Sequence, residues 1–305
     1  MDNQISRQVA MPHFIRSKTI LNKTKRRDPW FLDDYTVNPY SGCSFNCLFC
    51  YIRGSKYGEH MERKIGIKEN AVELLDRQLF NRAKKSQFGF IVMSSATDPY
   101  LQVEKDTQLT RELLRVILKH RFPVHVITRS ELVTRDFDLL EEINEMALLP
   151  TDLASKMNEG VLITFSFSTL DDKVASTFEP GATPPKLRLA ALHKTSSGGF
   201  KTGVAMMPLL PGISDTNEVM ESMLHNFKKA GAKYIFPASL TLFGYGPSDS
   251  RTLVFRAIKN HYEYLMPRYE EIFRLGSRPI REYQKDVDQR ARKLCNQAGL
   301  KQSIL

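Results

Sequence analysis

No stretch of this 305-residue chain runs to eighteen or more apolar residues, which excludes a membrane-spanning helix. The first 36 residues are polar and basic and lack the apolar block of an export signal. The cytoplasm is therefore the expected compartment, with no membrane partner. Cysteine is scarce: four residues cannot staple a fold of this length, and three of them, Cys43, Cys47 and Cys50, sit too close together to bridge long loops. Internal repeats, low-complexity tracts and Gly/Ser linkers are missing, so nothing marks off a second independent domain. Apolar residues make up 42% of the chain, enough to bury one large core. The fourth cysteine, Cys295, falls in a helix-like stretch among Arg and Lys and reads as a half-buried structural thiol.

Acid is the charge in short supply. Against 34 Asp and Glu stand 44 Lys and Arg, a formal net charge of +10. The surplus gathers at Lys18, Lys23, Lys25, Arg26 and Arg27, and again over residues 244–305, where eight Arg and four Lys face seven acids. Such a distribution suits an anionic partner such as nucleic acid, and equally a solvated face or a site for a small carboxylate.

Through the middle of the chain, short β-branched runs alternate with amphipathic segments of three turns or more, the pattern of parallel strands joined by crossover helices. The spacing predicts strands over residues 34–38, 88–94, 124–128, 161–166, 202–208 and 233–239. Helices are predicted over 68–83, 107–119, 137–147, 185–196 and 216–230. Six βα units are two short of a closed eightfold barrel, and the chain beyond residue 253 reads as purely helical. A partial α/β barrel with a C-terminal helical extension over 246–305 is expected, with a core over 34–245 and a basic arm over 1–33. The alternative is an open, doubly wound sheet. Either way, the chemistry belongs at the C-terminal ends of the strands.

The cysteines directly follow the first predicted strand, in the run Asn38-Pro-Tyr-Ser-Gly-Cys43-Ser-Phe-Asn-Cys47-Leu-Phe-Cys50-Tyr51. The C-x3-C-x2-C spacing lets three thiolates converge from one loop. A mononuclear zinc site needs a fourth ligand, and His60 is an awkward candidate. In a [4Fe-4S] cluster the missing ligand becomes useful, because the open iron is free to be chelated by the amino and carboxylate groups of S-adenosylmethionine. Reductive cleavage of the sulfonium then gives a 5′-deoxyadenosyl radical able to abstract hydrogen, with the electron drawn from an external carrier of flavodoxin or ferredoxin type. A zinc-stabilised nucleic-acid-binding protein and a SAM-independent iron-sulfur electron carrier remain as alternatives. Phe49, between the second and third cysteines, is placed to pack against adenine. Asp98, Tyr100 and Glu104 after the second strand, and Met206, Met207 and Pro208 on the fifth, fall at the mouth of the barrel, and Asp98 is assigned to the substrate pocket.

The cysteine run, the stretch Ser95-Ala-Thr-Asp-Pro-Tyr100 and the run Phe178-Glu-Pro-Gly181 together resemble the radical SAM proteins related to spore photoproduct lyase. The similarity covers roughly residues 17–245, with its motifs in order. It implies a partial (β/α)6, TIM-like radical SAM barrel. On matching strand ends it implies that Thr97 contacts the methionine moiety of SAM, that Arg129 pairs with its carboxylate and that Ser166 bonds its ribose. Tyr51 matches a tyrosine of the family's hydrogen-transfer relay. One departure stands out: Ser95 occupies the place of the lyase cysteine that returns a hydrogen atom to the product radical. A serine O–H bond is too strong for that task, so thymine-dimer repair by that route is not expected.

Overall fold

The computed structural model describes residues 11–55 and 64–305, so His60, considered above as a ligand, lies outside the described residues. The strands are β1 (Met11–Ile15), β2 (Leu21–Lys23), β3 (Tyr35–Val37), β4 (Tyr40–Ser41), β5 (Lys64–Lys68), β6 (Ile91–Met93), β7 (Val124–Thr128), β8 (Val161–Phe167), β9 (Lys201–Leu209) and β10 (Tyr234–Ser239). Strands β3 and β6 to β10 form a parallel array in strict chain order, and β2 lies antiparallel outside β3. A doubly wound sheet reverses its order at a switch point. This one never does, so the doubly wound alternative falls and the partial barrel stands. The edge strands β10 and β2 share no ladder among the described residues.

Crossover helices Ala71–Ala83, Leu109–Lys119, Phe137–Met146, Pro185–Ser197 and Asn217–Lys229 fall where periodicity puts them. Leu109, Leu113, Val116 and Ile117 make one buried stripe, as an amphipathic helix on a sheet requires. The predicted start at Thr107 moves to Leu109 because Gln108, at φ 49°, separates this helix from the turn Glu104–Thr107. Thr216 opens the helix Asn217–Lys229 by accepting from Val219 N, and Lys228 and Lys229 close it against the dipole. All seven residues of β8 are buried, as expected of a parallel strand covered on both faces.

Side chains alternate across each strand, so residues two apart share the interior face. At the N-terminal end of the strands that face is filled by His125, Leu162, Thr164, Tyr234 and Phe236, all buried. Gly203 faces the same layer, where a Cβ would collide with the Tyr234 ring. From below, Trp30 stacks on Phe236 at 5.3 Å and Phe31 meets the same ring edge-on at 5.6 Å. The described part of the basic arm, residues 11–33, is thus built into the structure: β2 extends the main sheet, β1 joins β5 and β4 in a small second sheet, and Arg27 grips Asp34 through two 3.0 Å bonds. Neither the second sheet nor the aromatic plug is signalled by hydrophobic periodicity.

The C-terminal segment is helical over Ser250–His261, Met266–Ile272 and Arg281–Ala298. The last helix packs on β10 and on Asn217–Lys229 through Val287, Ala291, Leu294 and the fully buried Cys295. It stops at Gly299, whose φ of 66° suits a residue without a side chain, and the chain returns to bridge Tyr234 through Lys301.

The barrel floor carries a neutral hydrogen-bonded chain with a defined direction. The Phe31 carbonyl can only accept, so His125 Nδ1 donates to it at 2.8 Å; His125 Nε2 must then accept from Thr164 Oγ1 at 2.6 Å, and Thr164 accepts from the Tyr234 hydroxyl at 2.8 Å. Burial lowers the His125 pKa to about 4, consistent with a neutral ring. Replacing Thr164 by valine orphans two buried groups and should cost about 3 kcal/mol of stability, whereas Tyr234→Phe removes only the terminal donor and should cost about 1 kcal/mol. Urea unfolding of the two variants checks the ranking, and equal losses would refute the chain.

Candidate active site

Because β3 and β6 are parallel neighbours, their C-terminal ends lie side by side, and the loops leaving them are laced together. Ser94 N donates to Val37 O at 2.7 Å, Asn38 Oδ1 accepts from Ala96 N at 2.9 Å, and Asn38 Nδ2 donates to Ser95 Oγ at 3.2 Å. Tyr40 then anchors the approach to the cysteines by donating its hydroxyl to the buried Glu104. The cysteine loop turns through Gly42 (φ 82°) and Asn46 (φ 52°). It is tightened by Asn46 N to Cys43 O at 3.4 Å and Cys50 N to Cys47 O at 3.2 Å. Arg53, 1% exposed, donates Nε to Cys47 O at 3.0 Å and Nη1 to Ser248 O at 3.0 Å, tying the loop to the C-terminal segment.

The three thiols are free and line one cavity of about 820 Å³ at the C-terminal ends of the strands. Burial pushes all three pKa values up, Cys47 to about 12 and Cys43 well above its ordinary value, with Cys47 and Cys50 adding repulsion at Cys43. Such thiols cannot all ionise unless a cationic centre sits among them, and bound metal deprotonates its thiols outright. Among the described residues no three His, Cys, Asp or Glu side chains group as a single metal ion requires. A polynuclear cluster takes each thiolate on a separate iron, so its donors stand further apart than those of a tetrahedral zinc site. Three thiols offered by one loop to one cavity are the donors that three irons of a [4Fe-4S] cluster would take.

Every residue assigned a role from the sequence lines this cavity: Phe49, Tyr51, Thr97, Asp98, Arg129 and Ser166 join the cysteines. Their bonds, however, differ in kind. The Thr97 hydroxyl donates to Gly42 O at 2.6 Å, fixing the β6 loop to the cysteine loop. Tyr51 is largely exposed at the rim and donates to Ser95 O. Asp98 is buried and its carboxylate accepts from Thr128 Oγ1 at 2.7 Å, Arg129 N at 2.8 Å and Tyr100 N at 2.9 Å. Burial raises its pKa to about 6 against those three donors. The geometry is that of a brace across the ends of β6 and β7, with the carboxylate turned to the protein.

Arg129 lies over the Phe49 ring at 5.4 Å. It spends three N–H groups on Glu179 Oε1 at 2.9 Å, Ser166 O at 3.4 Å and Met207 O at 3.0 Å. Among the described residues Nε–H and one Nη2–H have no protein partner, leaving two donors for an anion. Glu179 is in turn bonded to Arg188 Nη2 at 2.6 Å and to the Ser168 hydroxyl, and all three groups are buried. Burial alone would raise the Glu179 pKa, but the two guanidinium groups outweigh it and hold the carboxyl below its ordinary value.

Sequence reading missed Arg188 and Arg53, because nothing in a helix or loop pattern marks a charged residue for burial, and Asn38, because its partners Ser95 and Ala96 stand on another loop. It also missed the far wall of the cavity, where Trp30 and Asp33 meet Arg278, Gln284, Asp288 and Arg292 of the C-terminal segment.

Comparison with known proteins places this geometry. Residues 37–225 match the family described as the radical SAM superfamily. An uncharacterised protein of Acidianus two-tailed virus is 29% identical over 238 residues, spanning 74% of both chains. A radical SAM Nα-GlyT isomerase of Pseudomonas phage M6 is 24% identical over 208 residues, 68% of this chain and 39% of that protein. A spore photoproduct lyase variant solved with bound AdoMet and dinucleoside spore photoproduct shares the fold with a TM-score of 0.62 at 16% identity, covering 93% of this chain and 78% of that one. Superfamily members use a [4Fe-4S] cluster and S-adenosylmethionine, and the zinc and SAM-independent alternatives give way. The chain belongs to the radical SAM superfamily and is an enzyme of SAM-dependent radical chemistry.

Proposed function

We propose that Cys43, Cys47 and Cys50 hold a [4Fe-4S] cluster, that Arg129, Thr97, Ser166 and Phe49 receive S-adenosylmethionine, and that the enzyme abstracts hydrogen from a nucleic-acid-derived substrate. The observation that carries the reading is the convergence of three free thiols from one loop on a cavity that Arg129 also lines. When bound and reduced, the cluster supplies the electron that opens the sulfonium to a 5′-deoxyadenosyl radical.

The chain's own residues bind, orient and shield. The Arg129 fork takes the SAM carboxylate, and the Phe49 ring beneath the guanidinium offers a flat apolar face to adenine. Asp98 keeps Arg129 in register by holding its backbone N–H. Buried strand ends exclude water, which would otherwise compete for each of these contacts. Ser95, bonded to Asn38, has no thiol hydrogen to return, so the final hydrogen atom comes from SAM's own product or from another donor. Tyr51, at the rim beside Ser95 O, would relay a hydrogen atom to the cavity from an external donor with a weaker X–H bond, such as a thiol.

Two observations support a nucleic-acid substrate: the net charge of +10 and the dinucleoside bound in the lyase that shares the fold. The free thiols accord with a reducing compartment, the cytoplasm, where flavodoxin- or ferredoxin-type carriers would supply the electron.

Anaerobic reconstitution should load about four irons per chain, and dithionite with SAM should then release 5′-deoxyadenosine. Replacing any one of the three cysteines by alanine should abolish both. An intact cluster that yields no 5′-deoxyadenosine would sink the assignment. Binding to an oligonucleotide should weaken about tenfold between roughly 50 and 200 mM salt if two phosphates are contacted. Salt-independent binding, or none, would point to a different substrate class.

A further inference from the structure

Glu179 and Arg188 are fully buried, yet neither lines the cavity. The segment they serve, residues 178–181, touches the cysteine loop and Arg129 at once. We propose that this segment is a brace that sets the cysteine loop with its backbone and Arg129 with the Glu179 carboxylate, making Glu179 a positioning residue for S-adenosylmethionine. The proposal rests on the preceding reading, in which Arg129 takes the SAM carboxylate.

The backbone half is a clasp around the second ligand. Leu48 N donates to Phe178 O at 2.8 Å and Gly181 N to Phe45 O at 3.0 Å, on either side of Cys47. Gln102 Nε2 closes the outer edge on Gly181 O at 2.7 Å. The approach is so close that a Cβ on Gly181 would collide with the Ser44 carbonyl oxygen, so only glycine permits it.

The side-chain half solves a charge problem. A carboxylate that merely neutralised Arg129 would fix its position and cancel its attraction for an anion. Arg188, 0% exposed, balances Glu179 at 2.6 Å, so Glu179 can orient Arg129 at 2.9 Å without consuming its charge. The carbonyls of Ser166 and Met207 complete a single orientation for Arg129 while contributing no net charge. Asp98 also lies near enough to act on Arg129 by charge, but its carboxylate oxygens are turned to the Thr128 hydroxyl and two backbone N–H groups and make no bond to the guanidinium. Cluster loop and SAM anchor are therefore held by one four-residue segment, and its two halves are separable.

The test uses the full chain reconstituted with iron and sulfide, measuring iron content and the equilibrium binding of S-adenosylmethionine to the oxidised protein. Glu179→Gln should keep its iron and bind SAM about 10–100-fold more weakly, the usual consequence of losing an orienting partner. Because the neutral amide leaves Arg188 buried without a counter-charge, the pair Glu179→Gln with Arg188→Met guards against misfolding and should behave the same way. Gly181→Ala should lose iron. If Glu179→Gln binds SAM as tightly as wild type, or sheds iron in step with SAM, the brace is wrong. Full iron in Gly181→Ala overturns its backbone half. A cluster-loaded wild type that binds no SAM overturns the preceding reading together with this one.

Discussion

Three thiols in one loop are a liability until something cationic sits among them. Burial makes each hard to ionise, and each ionised neighbour makes the next harder. The loop that carries them cannot rely on its own packing for shape, since its centre must stay open. Its shape comes from outside: Asn38 and Thr97 from the loops of β3 and β6, Arg53 and Ser248 from the C-terminal side, and residues 178–181 from behind. Much of what the barrel places around its rim is explained by the need to hold that one loop.

The same constraint orders the charges. A cationic anchor for a carboxylate has to survive in a dry cavity without being neutralised by its own supports. The structure meets this by satisfying Arg129 with two carbonyls and with a carboxylate that Arg188 has already balanced. Buried ion pairs add little to stability on balance, because desolvation offsets the attraction. Their value here is geometric, which accounts for so much charge lying within a few ångströms of the Phe49 ring.

The βα alternation was legible in the sequence because buried parallel strands and amphipathic helices have different periods, and the boundaries moved by only a few residues. The cysteine spacing was legible because it is local. What stayed hidden was set by contacts distant along the chain. Arg188 reads as an exposed helical residue until the fold brings Glu179 against it, and Trp30 reads as part of a basic arm until Phe236 is seen above it. Asp98, read from the sequence as a substrate-pocket residue, does line the cavity, but its partners Thr128 and Arg129 lie some thirty positions away, so its bracing geometry was beyond a strand-end reading.

The cavity also divides along the same line. Its cluster end is built from residues 43–51, 94–98, 128–129 and 166, all inside the segment that matches the superfamily, residues 37–225. Its far end is built from Trp30, Phe31, Asp33 and Thr36 before that segment and from Arg278, Gln284, Asp288, Arg292 and Gln302 after it. The parts of the chain on either side of the matched segment thus both contribute to the lining of this cavity. A fold shared by many chemistries leaves the choice of substrate to residues that are not shared. The radical-forming end follows from the barrel. The far end brings two arginines, two acids and two glutamines to an aromatic floor, from both flanks of the matched segment.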